Sequence, residues 1–482
     1  MSKYLDLSID KLHEMLVSKE ITPLDLTMEA LERAESDKLN CFITIDKSCI
    51  DFAKSIGEPE EDNVLWGIPC ALKDNLMTKN LRTTCGSLML DNFVPTYDAH
   101  VVSLIKDKKM IIIGKLNMDE FAMGSSNKTS YYGPVLNPWN NALVSGGSSG
   151  GSAAAVSSGI VPITLGSDTG GSIRQPSAFC GVVGLKPTYG RVSRFGLAAF
   201  SSSLDQIGPI TRNVKENAYM LDVISKKDKR DLTNEDKEED FTRLIGEDIS
   251  GMKVLVPNFY VSDLIDDEIL DKFKETVKVL ESMGVTVDYK DVPYLEYAVP
   301  LYQVIALGEA SSNLARYDGI KYGYSAKNCK NAEDYMYKTR SEAFGDEVKR
   351  RIMVGSFMLS GSNVKEYYTK ALMIRNKMKE EFDNIFKEYD LVLGPSSTCL
   401  PYEVESFSND PNKAFVDDIL VIPVNLAGLP GMSLPVGFSK SNLPIGMQII
   451  GNRWDEATMY KFAYKLEEKL SLNLSLGGNK NE

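Results

Sequence analysis

Apolar residues recur at two different periods along this chain. Over about the first forty residues the period is helical. Ser8 is placed to cap one short helix, and Thr22 followed by Pro23 is an N-cap with proline at the first helical position. Leu26, Ala30 and Leu31 then return at helical spacing, which predicts a packing layer with no chemistry of its own. From Leu65 the texture changes to short apolar runs between turns. LWGIPCALKD and MIIIGKLNM, the latter spanning Met110 to Met118, read as buried strands. Residues 131–213 are rich in Gly, Ser and Pro. Low complexity is rejected there because the glycines punctuate apolar segments such as IVPITLG and CGVVGLKP. SAAAVSSG in the same region predicts a short helix of small residues that can pack closely on a sheet.

The mixed-charge run KKDKRDLTNEDKEED (226–240) is expected to be a solvated, variable surface connection. KVLVP (253–257) reads as a strand. Ile269, Phe273, Val277 and Leu280 follow on one face of a helix, Gly284 is placed to end it, and VTVDY returns as a strand. DLVLGPSS (390–397) and ILVIPVNLAG (419–428) are two further predicted buried strands. The last helix falls near Glu456 to Leu470, and the tail SLGGNKNE (475–482) is expected to be flexible. No internal repeat is visible. Strand–helix–strand texture indicates an α/β fold rather than all-α or all-β.

The 482 residues suffice for a large core. Length alone suggests two or three domains, although α/β enzymes often use more chain per domain. Hydrophobic residues are 43% and charged residues 25%, the range of an ordinary globular protein. A net charge of -13 argues against gripping phosphate backbones over most of the surface, though not against one basic patch. The seven cysteines, Cys41, Cys49, Cys70, Cys85, Cys180, Cys329 and Cys399, form no CxxC pair and have no histidine at zinc-like spacing. They are expected to be free thiols in a reducing cytosol. The opening stretch has neither the apolar core of a signal peptide nor the arginines of a transit peptide, and no apolar run approaches a membrane span. A cytoplasmic location is expected.

The chemistry lies in three places. Ser148 sits inside GGSSGGS (Gly146 to Ser152), and Ser172, 24 positions later, sits inside DTGGSIRQP. Lys73, in ALKDN, lies 75 positions before Ser148. A serine hydroxyl is a weak nucleophile and needs a base. The chain has only two histidines, His13 in the first helix and His100 in YDAHVV, neither near a serine loop. Lysine can serve when neutral, which requires its pKa to fall from about 10.4 to near 7 at a cost of about 4 kcal/mol. Burial can supply that shift, and apolar WGIPCAL precedes Lys73. The alternative is a surface lysine beside Asp74; the two serine loops decide against it. Thr169, Gly170, Gly171 and Ser172 offer consecutive backbone N–H groups for an oxyanion. A phosphate loop is disfavoured because neither serine loop contains the lysine that GxxxxGK[ST] requires. A purely structural role for both loops leaves the lysine unexplained.

At these residues the chain resembles the amidase signature family, whose pattern is GGSSGG, the 24-residue step to the serine of TGGSIR, and the lysine 75 residues before the first serine. The resemblance implies a Ser–cis-Ser–Lys triad. Ser172 would be the acyl-forming nucleophile, Ser148 the bridge after a cis Gly147–Ser148 peptide, and Lys73 the base. It implies one α/β/α catalytic domain over residues 1–474 with a large mixed central sheet covered by helices, residues 1–60 being a helical layer within it.

Within the family the resemblance is to the glutamine-hydrolysing subunits of tRNA-dependent amidotransferases. It is carried by KLNMDEFAMGSS, YGPVLNPWN, VGLKPTYGRVSRFG, SLDQIGPITR, EASSNLARYDGIKYG, KRRIMVGSFMLS and IPVNLAGLPG. This implies hydrolysis of glutamine and delivery of ammonia to a B subunit that amidates glutamyl-tRNA(Gln), in a heterotrimer with a C subunit. ATP and magnesium would belong to the partner, with no metal or organic cofactor in this chain. The tRNA would be contacted mainly through the partner. Arg351 would bind the glutamine carboxylate, Asp418 its ammonium, and Tyr302 would line the pocket; Arg350 and Asp417 are the alternatives one position away. A stand-alone amidase acting on other small amides is the competing reading. A non-catalytic assembly protein on the same scaffold is the third.

Overall fold

Residues 4–406 and 416–474 are described by the computed structural model; the tail 475–482 lies outside them. The N-terminal helices form where the caps predict. Ser8 accepts the Lys11 N–H and opens the helix Ile9–Val17. Thr22 and Asp25 form a reciprocal capping box that opens Pro23–Glu35. Leu26, Ala30 and Leu31 are buried on one face of that second helix.

Thirteen strands follow in chain order among the described residues. They are β1 (Phe42–Ile45), β2 (Pro69–Lys73), β3 (Ile111–Leu116), β4 (Leu136–Asn137), β5 (Asn140–Val144), β6 (Ile163–Asp168) and β7 (Val183–Lys186). The rest are β8 (Gln206–Thr211), β9 (Lys253–Pro257), β10 (Thr286–Lys290), β11 (Leu391–Pro395), β12 (Gly431–Phe438) and β13 (Pro444–Gly451). Eleven of them make one sheet in the order β1-β3-β2-β6-β8-β7-β12-β13-β11-β9-β10, while β4 and β5 pair separately. The sheet is mixed. β3, β2 and β6 run parallel, as do β11, β9 and β10. Antiparallel pairings carry the sheet from β6 through β8, β7, β12 and β13 to β11. This is a single α/β domain with a large mixed central sheet and covering helices.

β2 and β3 are buried along their whole length, which is why they read as unbroken apolar runs. β2 and β6 are parallel neighbours in the register Leu72↔Leu165. Their carboxyl ends, Lys73 and Asp168, therefore emerge on the same edge, where open α/β sheets place ligands. The predicted small-residue helix is Gly150–Ser157, buried at every position and packed on β2, β6 and β8. Large side chains would not fit between it and the sheet.

The structure corrects two expectations. ILVIPVNLAG is not a strand: residues 422–427 form the helix Ile422–Ala427, with Pro423 in its first turn and Gly428 in the left-handed conformation at its end. A short apolar run satisfies a buried helix as well as a buried strand, and the proline and glycine decide it. The mixed-charge run is not simply solvated. Asp228, Asp231 and Asn234 are buried, and Asp228 and Asp231 accept from Ser193 and from the Arg194 N–H.

A helical layer that the sequence pattern did not resolve spans residues 298–385. Its helices are Ala298–Asn313, Ala332–Ala343, Asp346–Met358 and Lys370–Ile385. The first and third of these cross closely at Gly355, where a Cβ would come within 1.9 Å of the Leu307 carbonyl oxygen. Gly355→Ala would favour an isolated helix by about 1 kcal/mol. Here it is expected to destabilise by about 1–3 kcal/mol through overpacking, read as a lower urea midpoint. A raised midpoint would refute this crossing.

Candidate active site

Lys73 ends β2 with 0% exposure. Its Nζ donates to Ser148 Oγ at 2.7 Å, to Ser149 Oγ at 2.8 Å and to the Ser167 carbonyl at 3.3 Å. Burial lowers its pKa from 10.5 to about 7, against the opposing pull of Asp119, Asp168 and Asp205. Among the described residues no carboxylate hydrogen-bonds the ammonium, so the lysine is held by neutral oxygens.

Ser148 follows a cis Gly147–Ser148 peptide, as the resemblance implies. Three contacts hold its loop. The Gly147 N–H donates to Gln175 Oε1 at 3.0 Å and the Gly150 N–H to Asn127 Oδ1 at 3.1 Å. The Asp119 N–H donates to the Ser148 carbonyl at 3.3 Å. Ser172 is 7% exposed, and its carbonyl accepts the Ser149 N–H at 3.1 Å, which ties the two serine loops together. Among the described residues the side-chain hydrogen bonds run from Lys73 to Ser148 and Ser149 and stop there; the Ser172 hydroxyl joins neither serine. Catalytic hydrogen bonds commonly tighten only around substrate.

The turn bearing Ser172 is built on Asp168. That carboxylate accepts from the Gly171 N–H at 2.8 Å and the Ile173 N–H at 3.1 Å. It pairs with Arg174 through Nε and Nη2, both at 3.1 Å, and accepts Asn425 Nδ2 at 2.8 Å. Burial alone would raise the Asp168 carboxyl, but Arg174, Lys186 and Asn425 hold it well below its ordinary value. Arg174 in turn donates to the Val421 carbonyl at 2.9 Å and to Gln448 Oε1 at 2.5 Å. The Gly171 N–H is thus committed to Asp168. This narrows the expected oxyanion set to the N–H groups of Thr169, Gly170 and Ser172. Thr169 is anchored from below by its hydroxyl on Asp205 at 2.6 Å. Gly171 has φ +125, a conformation that side chains rarely adopt.

The predicted substrate residues converge on this turn from three directions. A Cβ on Gly170 would lie 2.7 Å from the Tyr302 ring, and one on Gly171 would lie 3.6 Å from Asp418 Oδ1. Asp418 is half-buried, but its Oδ1 is shut off from solvent and takes no hydrogen bond among the described residues. Burial and the neighbouring charges of Asp417 and Asp168 raise its carboxyl well above the ordinary value. Arg351 is 3% exposed, lies over the Phe200 ring at 5.7 Å and donates Nε to Glu347 at 2.7 Å. Phe200 meets Tyr302 edge to face at 6.5 Å. Arg350, one position away, pairs with Glu347 on the more open side.

The histidines stay outside. His13 bonds the Glu61 carbonyl and His100 bonds Arg230. Sequence reasoning missed Ser149, although it lies in the GGSSGGS motif, and it missed the Asp168–Arg174–Asn425 network. Asp168 and Arg174 flank TGGS and could have been read as a charged pair bracketing the turn. Asn425 was hidden by the strand assignment of its segment.

The amidase family profile matches residues 25–459. The A subunit of the glutamyl-tRNA(Gln) amidotransferase of Listeria welshimeri is 50% identical over 474 residues, covering 97% of this chain and 98% of that protein. The crystal structure of the corresponding A subunit from Thermotoga maritima is 41% identical with a TM-score of 0.79, covering 97% of this chain and 93% of that one. A bacterial aryl acylamidase of the amidase signature enzymes, 21% identical, shares the fold with a TM-score of 0.86 over 99% of both chains. With the profile spanning most of its length and half-identical relatives matching almost end to end, the chain belongs to the amidase signature family.

Proposed function

We propose that this chain hydrolyses glutamine to glutamate and supplies the ammonia to a partner subunit that converts Glu-tRNA(Gln) to Gln-tRNA(Gln) with ATP. The observation that carries the chemistry is the 2.7 Å contact between a fully buried Lys73 and Ser148. Neutral Lys73 takes the Ser148 proton as Ser148 takes that of Ser172. Ser172 Oγ bonds to the side-chain amide carbon, and the carbonyl oxygen becomes an oxyanion held by the N–H groups of Thr169, Gly170 and Ser172. The C–N bond then breaks, the nitrogen recovers a proton from Lys73 through Ser148, and ammonia leaves. Water cleaves the acyl ester through the same proton path, which releases glutamate and restores Ser172.

The pocket suits a free amino acid. Asp418 Oδ1 is a buried carboxylate oxygen with no hydrogen-bond donor among the described residues, and a substrate ammonium would supply the missing positive charge. Arg351 offers the planar fork that matches a carboxylate, and Tyr302 closes the wall beside Gly170. The names of the half-identical relatives support glutamine as the amide and B and C subunits as partners in a heterotrimer. The net charge of -13 favours tRNA contact mainly through the partner, to which ATP and magnesium are also assigned. Among the described residues no helix is long and apolar enough to cross a membrane. The reaction assigns the chain to the cytoplasm, where charged tRNA is used.

Co-expressed with its partner subunits, the wild-type chain is expected to release ammonia from glutamine and Ser172→Ala to release none. Equal release by the two would sink the triad, and release from other amides but not from glutamine would favour a stand-alone amidase. Below pH 8, wild-type kcat/KM should rise with pH and level off through an inflection near 7, because only neutral Lys73 accepts the proton. A flat profile would remove Lys73 as the base. Asp418→Asn is expected to raise KM for glutamine about ten- to a hundredfold while kcat changes much less. An unchanged KM would take Asp418 out of the pocket.

A further inference from the structure

The helix Asp346–Met358, which carries Arg351, begins without a cap of its own. Its N-cap is Gly345, which has no side chain to offer, and no side-chain cap bond is made within the segment. The third helical position, where a capping box would place Glu or Gln, is Val348. The missing acceptor arrives from 225 residues away. Glu120 Oε2 accepts the Gly345 N–H at 2.9 Å, and its Oε1 accepts the Ser87 hydroxyl at 2.5 Å. Glu120 is 2% exposed, and Phe121 beside it packs on Phe344 at 5.6 Å. A carboxylate at this end also complements the helix dipole.

The placement of Glu120 in the chain gives the contact its meaning. Its neighbour Asp119 braces the bridging-serine loop: the Asp119 N–H donates to the Ser148 carbonyl, and its carboxylate accepts the Asn127 N–H at 2.9 Å. Two adjacent carboxylates thus hold two different parts of the site, one the triad loop and the other the Arg351 helix. Arg351 lies six residues beyond Gly345, about 9 Å along the axis. A shift of the helix start is transmitted to the guanidinium, because a helix moves as a unit while the triad stays on the sheet.

We propose that Glu120 is a positioning residue for glutamine recognition, setting the depth and angle at which Arg351 faces the Ser172 turn. The proposal rests on the glutaminase reading above, in which Arg351 binds the substrate carboxylate. Glu120 touches neither substrate nor triad. Its loss therefore registers in binding before it registers in turnover.

The test measures glutamine-dependent ammonia release by the full chain with its partner subunits. Glu120→Ala is expected to raise KM at least tenfold with kcat within threefold of wild type, and Glu120→Gln, which keeps an acceptor oxygen for the Gly345 N–H, to restore KM to within about threefold. Gly345→Ala approaches the contact from the other side, since a Cβ there would lie 2.4 Å from Glu120 Oε2. It is expected to raise KM in the same way and stands in for Glu120→Ala should that variant not fold. An unchanged KM in the variants that fold overturns the proposal. So does a fall in kcat as large as the rise in KM, or a Gln variant no better than Ala. Wild type in the same assay reports the glutaminase reading separately: no ammonia from glutamine there fails that reading, whereas a wild-type signal with unshifted variants fails this inference alone.

Discussion

Lys73 stands at the carboxyl end of a buried strand, closed off from water, with its three donors directed at two serine hydroxyls and one backbone carbonyl. An ammonium in that position is expensive, since neutral oxygens replace hydration only in part. Three carboxylates within electrostatic reach, Asp119, Asp168 and Asp205, oppose the penalty without ion-pairing to it. Each is occupied elsewhere: Asp119 with Asn127 and Thr129, Asp168 with Arg174, Asp205 with Thr169. The balance leaves the lysine near 7, a displacement from 10.5 on the order of 5 kcal/mol. The consequence for stability has a definite sign. Between about pH 7 and 10.5 the unfolded chain binds a proton at this site that the native chain does not, so Lys73 makes stability rise with pH across that window. Below it the native state bears the full cost of the buried charge. The fold tolerates a destabilising element because a neutral lysine is what a serine nucleophile needs.

The rest of the architecture keeps that lysine in place. Parallel pairing of β2 and β6 fixes the distance between Lys73 and the Ser172 turn, because both emerge from neighbouring strand ends. The helix Gly150–Ser157 has to be small-residued along its buried length, and the loop that leads into it carries the serines that meet Lys73. Arg174 is fully buried, and it is matched by Asp168, Asn425, Gln448 and the Val421 carbonyl. A buried ion pair of this kind is poor evidence of net stability. It does give one geometry to a turn that has to present N–H groups to a transient oxyanion.

The triad was legible in the sequence because each member lies in a local motif whose residue types are unusual for a purely structural turn. Ser148 and Ser172 announce themselves through their glycines, and the apolar run before Lys73 foretells its burial. The substrate side was legible only through resemblance. Arg350 and Arg351 are equivalent in any local pattern, and packing alone turns one inward over Phe200 and leaves the other on the open side. The same holds for Asp417 and Asp418 until the Ser172 turn is in place to show which carboxylate faces it. ILVIPVNLAG failed for a different reason: a short buried segment has no amphipathic period to read, so Pro423 and Gly428 had to carry the assignment. The mixed-charge run misled because charge predicts solvation only where no buried partner waits, and Ser193 and the Arg194 N–H meet two of its aspartates.

The site therefore has two parts with different mechanical supports. Proton transfer rests on the sheet and the buried helix beside it. Amide selection rests on residues 298–385 and on the segment around Asp418, which approach the turn from outside the strands. A scaffold divided this way allows the selecting layer to change without disturbing the base, provided the layer stays in register with the turn. Such register cannot come from the layer itself, whose helices contact one another more than they contact β2 or β6. It has to be imposed by residues that belong to the sheet side and reach across, and the Asp119–Glu120 pair does so with two successive carboxylates, one turned to each part.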